Sequence, residues 1–329
     1  MNDDLYIDWR ARFLASGDDA DLPIIDAHQH YFDVEAHYYP WLNDRPLRSF
    51  RYGDYTSICQ TFLPADYQRQ AKAHRIVQTV VIEGEWDPQT PAAEVAFVES
   101  LARQEPTLAA MVAQAWLDRD DITELLHHYA GRPLVRGIRH KPTVTKHEDW
   151  HEDFIAPGSM RDPRWRDGYR QLADNGLHFE LQAPWWHLAE AAELARDFPQ
   201  VRIVLNHTGL PADRSAEGLA GWRGALALLA REPNVALKIS GICLPGQPWP
   251  VEANRRIVND AISIFDVSRC AFATNYPVDG VVNGMSEILD GFKAIVRQRP
   301  LAERLALFHD NARRLYRLAP PSLPRSSHV

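Results

Sequence analysis

The sequence predicts an α/β fold: a (β/α)8 TIM barrel in a single domain, with long loops after strands one and four. Three observations carry this. Eight short apolar, β-branched runs alternate with helix-patterned stretches, at intervals of about 25–50 residues. The runs are apolar throughout rather than alternating, as strands covered on both faces are. The 329 residues suit one barrel, and eight is the strand number that closes it. A doubly wound open sheet is the structural alternative, but no G-x-G-x-x-G or P-loop follows any run.

The elements are read in chain order. Residues 1–22 read as an amphipathic N-terminal extension that covers an outer surface, and residues 23–318 as the barrel. The first strand is 24–32, and an irregular segment rich in aromatics, Pro and Arg follows it over 33–70. A loop that long in a compact protein is usually functional. The second strand is 79–86 and is followed by a helix at 91–104; the third is 108–117, followed by a helix at 120–130. After the fourth, 134–140, comes the second long loop, 141–161, and a helix that Gly176 stops. The remaining strands are 178–184, 201–207, 234–241 and 270–277, with helices at 187–198, 215–232, 252–265, 283–298 and 301–318. Residues 319–329, APPSLPRSSHV, read as a flexible tail.

Composition narrows the function. Hydrophobic content is 45% and charged content 24%, an ordinary globular balance. A net charge of −8 argues against nucleic acid or anionic membrane as the main partner. Cys59, Cys243 and Cys270 are odd in number and far apart, which indicates reduced thiols rather than a disulfide framework. The first residues are acidic and lack an apolar run, and no stretch nears the roughly 18 apolar residues of a membrane span, so a cytoplasmic location is expected.

In a TIM barrel the site lies at the C-terminal ends of the strands. Those ends carry His28 and His30, Glu83 and Glu85, Gln114, Arg139 and His140, Gln182 with Trp185-Trp186-His187, His207, Lys238 and Ser240, and Asn275 with Asp279 just beyond. Any single one has a plain explanation, since parallel strands must stop in something polar. A lone H-x-H pair is most often two ordinary histidines. Histidines at three ends facing one mouth are harder to dismiss. Imidazoles spaced i, i+2 on a strand share a side and can hold a divalent metal or grip an oxyanion.

Five segments in this order carry a resemblance: Asp26-Ala27-His28-Gln29-His30, Val135 to His140, Leu205 to Pro211, Leu237 to Gly241, and Phe272 to Val278. Together with Tyr39-Pro40-Trp41-Leu42 and Asn311 to Tyr316, they resemble the amidohydrolase superfamily in its amidohydrolase-2 branch, and within that the lactonases of the 2-pyrone-4,6-dicarboxylate and L-fuconolactone type. The resemblance spans nearly the whole chain. It implies a hydrolase that opens a lactone of a sugar acid or dicarboxylate by attack of an activated water, on a small anionic cyclic ester. In it His28 and His30 would hold a metal or polarise the carbonyl, and His207 would bind the carbonyl oxygen or move a proton. Arg139 and Lys238 would bind the substrate carboxylate.

One position departs from the family. The eighth strand of relatives ends in an aspartate, the expected general base and a metal ligand; here it is Asn275, whose amide cannot take a proton near neutral pH. Three routes remain open. A zinc or manganese ion on His28 and His30, with Glu83 as a further candidate ligand and Asn275 as a weak oxygen ligand, would lower the pKa of bound water from about 15.7 to about 7. Alternatively Glu83, His140 or Asp279 replaces the base, or the barrel catalyses decarboxylation or lactone isomerisation instead. A non-catalytic binder is the remaining reading. Trp185, His187 and the aromatic loop 38–55 are expected either as pocket walls or as packing, and one of Arg45, Arg48 and Arg51, with Arg51 favoured, as an anion contact. No organic cofactor is expected, and a monomer and a homo-oligomer are both compatible with the sequence.

Overall fold

Eight strands pair in chain order, every pair parallel. In the computed structural model, which describes residues 3–320, they are β1 (Ile24–Gln29), β2 (Ile76–Ile82), β3 (Leu108–Gln114), β4 (Val135–Arg139), β5 (His178–Leu181), β6 (Ile203–Leu205), β7 (Val235–Ile239) and β8 (Cys270–Phe272). The chain beyond β8 returns to β1: Asn275 N donates to His28 O and His30 N to Tyr276 O, both at 2.8 Å. These bonds complete the ring, and the fold is a (β/α)8 TIM barrel.

Side chains alternate across each strand, so one set fills the barrel and the other packs under the helices. On β5, Phe179 and Leu181 join the outer core. Ile25, Ala27, Val80, Val112, Ala236 and Ala271 form a separate inner cluster, which Leu315, Tyr316 and Leu318 plug from the end opposite the mouth. β1 breaks the alternation. Its pairing with β2 shifts between Asp26 and Gln29. The shift lets Ala27 join the inner cluster while His28 and His30, one step out of phase with it, also reach the axis.

The first long loop is shorter than expected, because Pro64–Ala71 is a barrel helix; within the loop lie a turn of helix at Pro40–Asn43 and a 3-10 turn at Thr56–Ile58. Its Tyr39 and Tyr55 join Phe32 and, from beyond β2, Trp86 in a third hydrophobic cluster at the barrel mouth. The second loop holds one 3-10 turn, His147–Asp149, and is pinned by Thr143 N donating to Gly158 O at 2.9 Å. The N-terminal residues include a helix, Asp3–Ser16, fixed by buried Phe13 and by an Arg10–Asp310 ion pair at 2.7 Å. The C-terminal tail foreseen from residue 319 lies, from residue 321 on, outside the described residues. No helix among the described residues is long and apolar enough to cross a membrane.

Candidate active site

The barrel mouth opens into a cavity of about 320 Å³, lined by His30, Arg51, Arg139, Lys141, His207 and Asn275 among others. His30 directly follows β1, and the end of β2 fixes its ring. His30 Nδ1 lies 2.8 Å from Ile82 O, and a carbonyl only accepts, so Nδ1 carries the proton and Nε2 the lone pair. His28 stands behind it, fully buried, with its Nε2 3.2 Å from His30 Nε2. The His28 ring centroid is 4.7 Å from that of His207.

His207 sits on an unusual turn. His207, Thr208, Gly209 and Leu210 all have positive φ, between 52° and 69°. A left-handed residue with a Cβ costs about 1–2 kcal/mol, so the surroundings must impose it. They do so through Thr208: its hydroxyl donates to Ser240 O at 3.1 Å and its carbonyl accepts from the Trp222 indole at 2.7 Å. The turn lays His207 Nδ1 3.1 Å from Ser240 Oγ and leaves Nε2 for the cavity. Burial, reinforced by Arg139 and Arg51 at the mouth and by Lys238 beneath it, holds His28, His30 and His207 well below the ordinary imidazole range. All three are neutral at physiological pH.

The strand-end charges are largely committed to each other. Arg139 Nε bonds Glu83 Oε1 at 2.5 Å and Nη2 bonds Glu83 O at 2.7 Å, while Nη1 lies 3.3 Å from Gln182 Oε1. The other Glu83 oxygen accepts from Glu85 N at 2.6 Å. Glu85 is ion-paired with Lys141. Lys238 does not line the cavity: it is fully buried below it, 2.6 Å from Glu180. Asn275 lines the cavity, with φ of 54°, a conformation asparagine tolerates well. Its Nδ2 donates to Asp279 Oδ1 at 2.6 Å, so its carbonyl oxygen is the atom left for a ligand. Asp279 in turn takes Tyr52 OH at 3.0 Å and Arg51 at 3.4 Å.

His140 faces an adjoining cavity of about 390 Å³ that shares Arg139 and Lys141 with the central one. Leu117 N at 3.0 Å and the Trp165 indole at 2.9 Å both donate to its Nδ1. Burial lowers His140 to about 4, so it is neutral, and the proton must sit on Nε2. Nε2–H is thus a donor and not a base. His187 is a packing residue: Thr145 N donates to its Nε2 and Glu190 meets its Nδ1, both at 3.0 Å, which ties the second loop to helix Leu188–Asp197. Trp185 lines a third cavity with Arg51, Trp186 and Arg214. Arg214 has no sequence signal, because nothing local distinguishes it from a surface arginine. Lys141 could have been found from its place directly after Arg139-His140 at a strand end.

Two imidazole nitrogens on one zinc, each about 2.1 Å from it, stand ~3.0–3.4 Å apart, which His28 and His30 satisfy at 3.2 Å. The rest of the set does not follow. A liganding imidazole normally passes its other N–H to an acceptor; His30 does so, but the buried Nδ1 of His28 has no partner. Glu83 is engaged by Arg139, and Asn275 offers only a neutral oxygen. No group of three His, Cys, Asp or Glu among the described residues could hold a metal. The donors therefore do not fit the three-ligand protein set of a catalytic zinc.

Fold and site define a TIM barrel whose polar groups gather at the C-terminal mouth around neutral imidazoles. The chain belongs to the amidohydrolase family of the Amidohydro_2 model, which matches residues 25–318. It is 39% identical over 300 residues to uncharacterized protein y4mH of Sinorhizobium fredii, covering 91% of this chain and 100% of that one. It is 24% identical over 310 residues to L-fucono-1,5-lactonase of Burkholderia multivorans, covering 91% and 97%. A solved amidohydrolase of Burkholderia multivorans with bound zinc superimposes with a TM-score of 0.74 at 23% identity, covering 90% of this chain and 99% of that one.

Proposed function

We propose that this protein opens a small anionic lactone by attack of water, with His207 moving the proton. The observation that carries this is a neutral imidazole in the wall of a cavity whose lining also bears Arg48, Arg51, Arg139 and Lys141. Arg48 steers the anionic substrate toward the mouth; Arg139, with Nε and Nη2 held by Glu83, keeps the positive field in place. His207 Nε2 takes a proton from water as its oxygen bonds the lactone carbonyl carbon. The tetrahedral oxyanion forms beside the cationic lining. When the ring C–O bond breaks, the same nitrogen returns the proton to the leaving alkoxide, giving the hydroxy acid. His140 donates from the adjoining cavity through Nε2–H.

The lactonase relative and the ordered strand-end residues support this reading, and no step in it passes through a metal. The test is acid release in a pH-stat over a panel of lactones bearing a carboxylate. His207→Gln should lose about 10²–10⁴-fold in kcat/KM, the usual worth of a positioned acid–base group, while remaining folded. A full rate in that variant, or carbon dioxide released in place of acid, would reject the reading, and the latter would point to a decarboxylase. Elemental analysis beside a His28→Ala control should find substoichiometric zinc and manganese. A stoichiometric ion lost in the variant would return the metal-hydroxide route.

A further inference from the structure

The third cavity, about 490 Å³, lies beside the central one, and Arg51 and Leu210 line both. Its wall is built rather than incidental. The Trp185 ring lies on helix Ala216–Leu229, where a Cβ at Gly221 would meet it at 2.6 Å. The Trp186 indole donates to Thr145 O at 2.9 Å, and the His147 ring stands 4.9 Å from Trp185 and 5.1 Å from Trp186. Leu210, Pro211, Leu244 and Pro245 supply more apolar surface.

Into this apolar wall the chain sets a charge that no ion pair meets among the described residues. Arg214 donates to Ile242 O at 3.1 Å, but its buried Nε and Nη1 have no partner. Its polar neighbours Tyr52 and Cys243 are kept neutral by burial. The adjacent Asp213, which also lines the cavity, accepts from Ser215 N at 2.9 Å and makes no ion pair with Arg214. The other arginine of the cavity, Arg51, already has Asp279. Leaving guanidinium N–H groups buried and unpartnered costs free energy, which a turn of the side chain into the cavity that it lines would recover by pairing them with a ligand's oxygens. Flat aromatic faces favour a ring or branched chain.

We propose that the third cavity binds the far end of the substrate: an apolar, aromatic-sized body that ends in a monoanionic carboxylate paired with Arg214. The word substrate rests on the hydrolase reading; the binding site does not. One unpaired cation in an apolar chamber matches a single negative charge, which favours a carboxylate over a phosphate dianion. Arg51 and Leu210, shared by the two cavities, mark where such a molecule passes from the reacting end to the anchoring end. The substrate class is then a lactone carrying an aryl or branched acidic arm rather than a bare sugar lactone.

The test uses the full-length protein and two probes of one shape, 3-phenylpropionate and its neutral amide, titrated by calorimetry. The wild type should bind the carboxylate at least tenfold tighter than the amide. Arg214→Met should abolish that preference, Trp185→Ala should weaken both probes alike, and His30→Ala should leave the preference intact. Equal binding of acid and amide by the wild type overturns the proposal without any variant. So does a preference that survives in Arg214→Met, or probe binding that is lost in His30→Ala and kept in Trp185→Ala. Probe binding with this pattern but no lactone turnover would keep the Arg214 site and remove the hydrolase reading.

Discussion

The side-chain amide of Asn275 donates to the buried carboxylate of Asp279 across 2.6 Å. Asparagine thus stands where the resemblance expects an aspartate, and a different carboxylate lies one helical turn further on. Burial raises Asp279 above the ordinary carboxylate range even with Arg51, Asn275 and Tyr52 acting to lower it. Asn275→Asp would set two carboxylates against each other at hydrogen-bond distance, and they cannot both ionise cheaply. One of them would then have a folded pKa above its unfolded value, so its stability contribution is present at low pH and lost as pH rises through the folded value. The variant should be near wild-type in Tm at about pH 4, close to the unfolded carboxylate value, and destabilised by roughly 3 kcal/mol at pH 8. A deficit equal at both pH values, measured by thermal denaturation, would show that the two groups do not share a proton.

The three neutral histidines separate activity from stability in acid. Their folded pKa values lie well below 6.5, because burial and nearby cations disfavour imidazolium. In the unfolded chain they titrate near 6.5. Below that pH the unfolded state binds protons that the folded state refuses, so stability starts to fall from about pH 6.5. The neutral form of His207 persists to lower pH. The acid limb of kcat/KM should therefore lie below 6.5, while Tm already declines through pH 6. An acid limb at or above 6.5 would mean that His207 is not the base.

Much of this was legible in the sequence because it is local. Apolar runs bounded by turn residues gave eight strands, and the residue after each run gave the polar groups of the mouth. What each polar group meets across the barrel was not legible. Arg139 and Lys238 read alike as strand-end cations, yet Glu83 takes the first at the mouth and Glu180 takes the second below it. The partners are 56 residues away in one case and come from a strand two places round the ring in the other. The phase change on β1 escapes a period-two reading too, since it arises from pairing with β2 and not from β1 itself. The left-handed turn at residues 207–210 has only Gly209 as a local sign.

That turn depends on Gly241. A Cβ there would stand 2.7 Å from His207 Cβ, and Gly241 itself has φ of +65°. The clash is with the root of the imidazole, so it cannot be relieved by a rotamer change. Gly246 is a matched control, with φ of +70° and nothing within 4 Å of its added Cβ. Both glycine-to-alanine changes should cost about 1–2 kcal/mol for the left-handed backbone. Only Gly241→Ala should also lower kcat, by tenfold or more, because an ångström of displacement at the reacting group costs that much. Equal kcat in the two variants, at substrate saturation, would show that His207 is not held by this contact.

Below the mouth, Lys238 and Glu180 are both fully buried and 2.6 Å apart, with Tyr316 OH donating to Glu180 at 2.7 Å and Asn206 also bonded to it. Burial alone would raise Glu180, but the ammonium beside it brings it down to about 2, while burial brings Lys238 down to about 8. These shifts oppose each other in stability. The ionised carboxylate gains from the pair above pH 4.5, and that gain is lost as pH falls toward 2. The charged lysine is disfavoured by burial at any pH below about 8. A buried pair of this kind is close to neutral as a unit, yet removing one partner strands the other. Glu180→Gln and Lys238→Met should each destabilise by about 3–5 kcal/mol, and the double variant by much less than the sum. Denaturant unfolding of the four proteins gives the coupling directly. Additive losses would mean that the two charges are compensated separately, through Tyr316 and Asn206 on one side and Ala27 O, 3.4 Å from Lys238 Nζ, on the other.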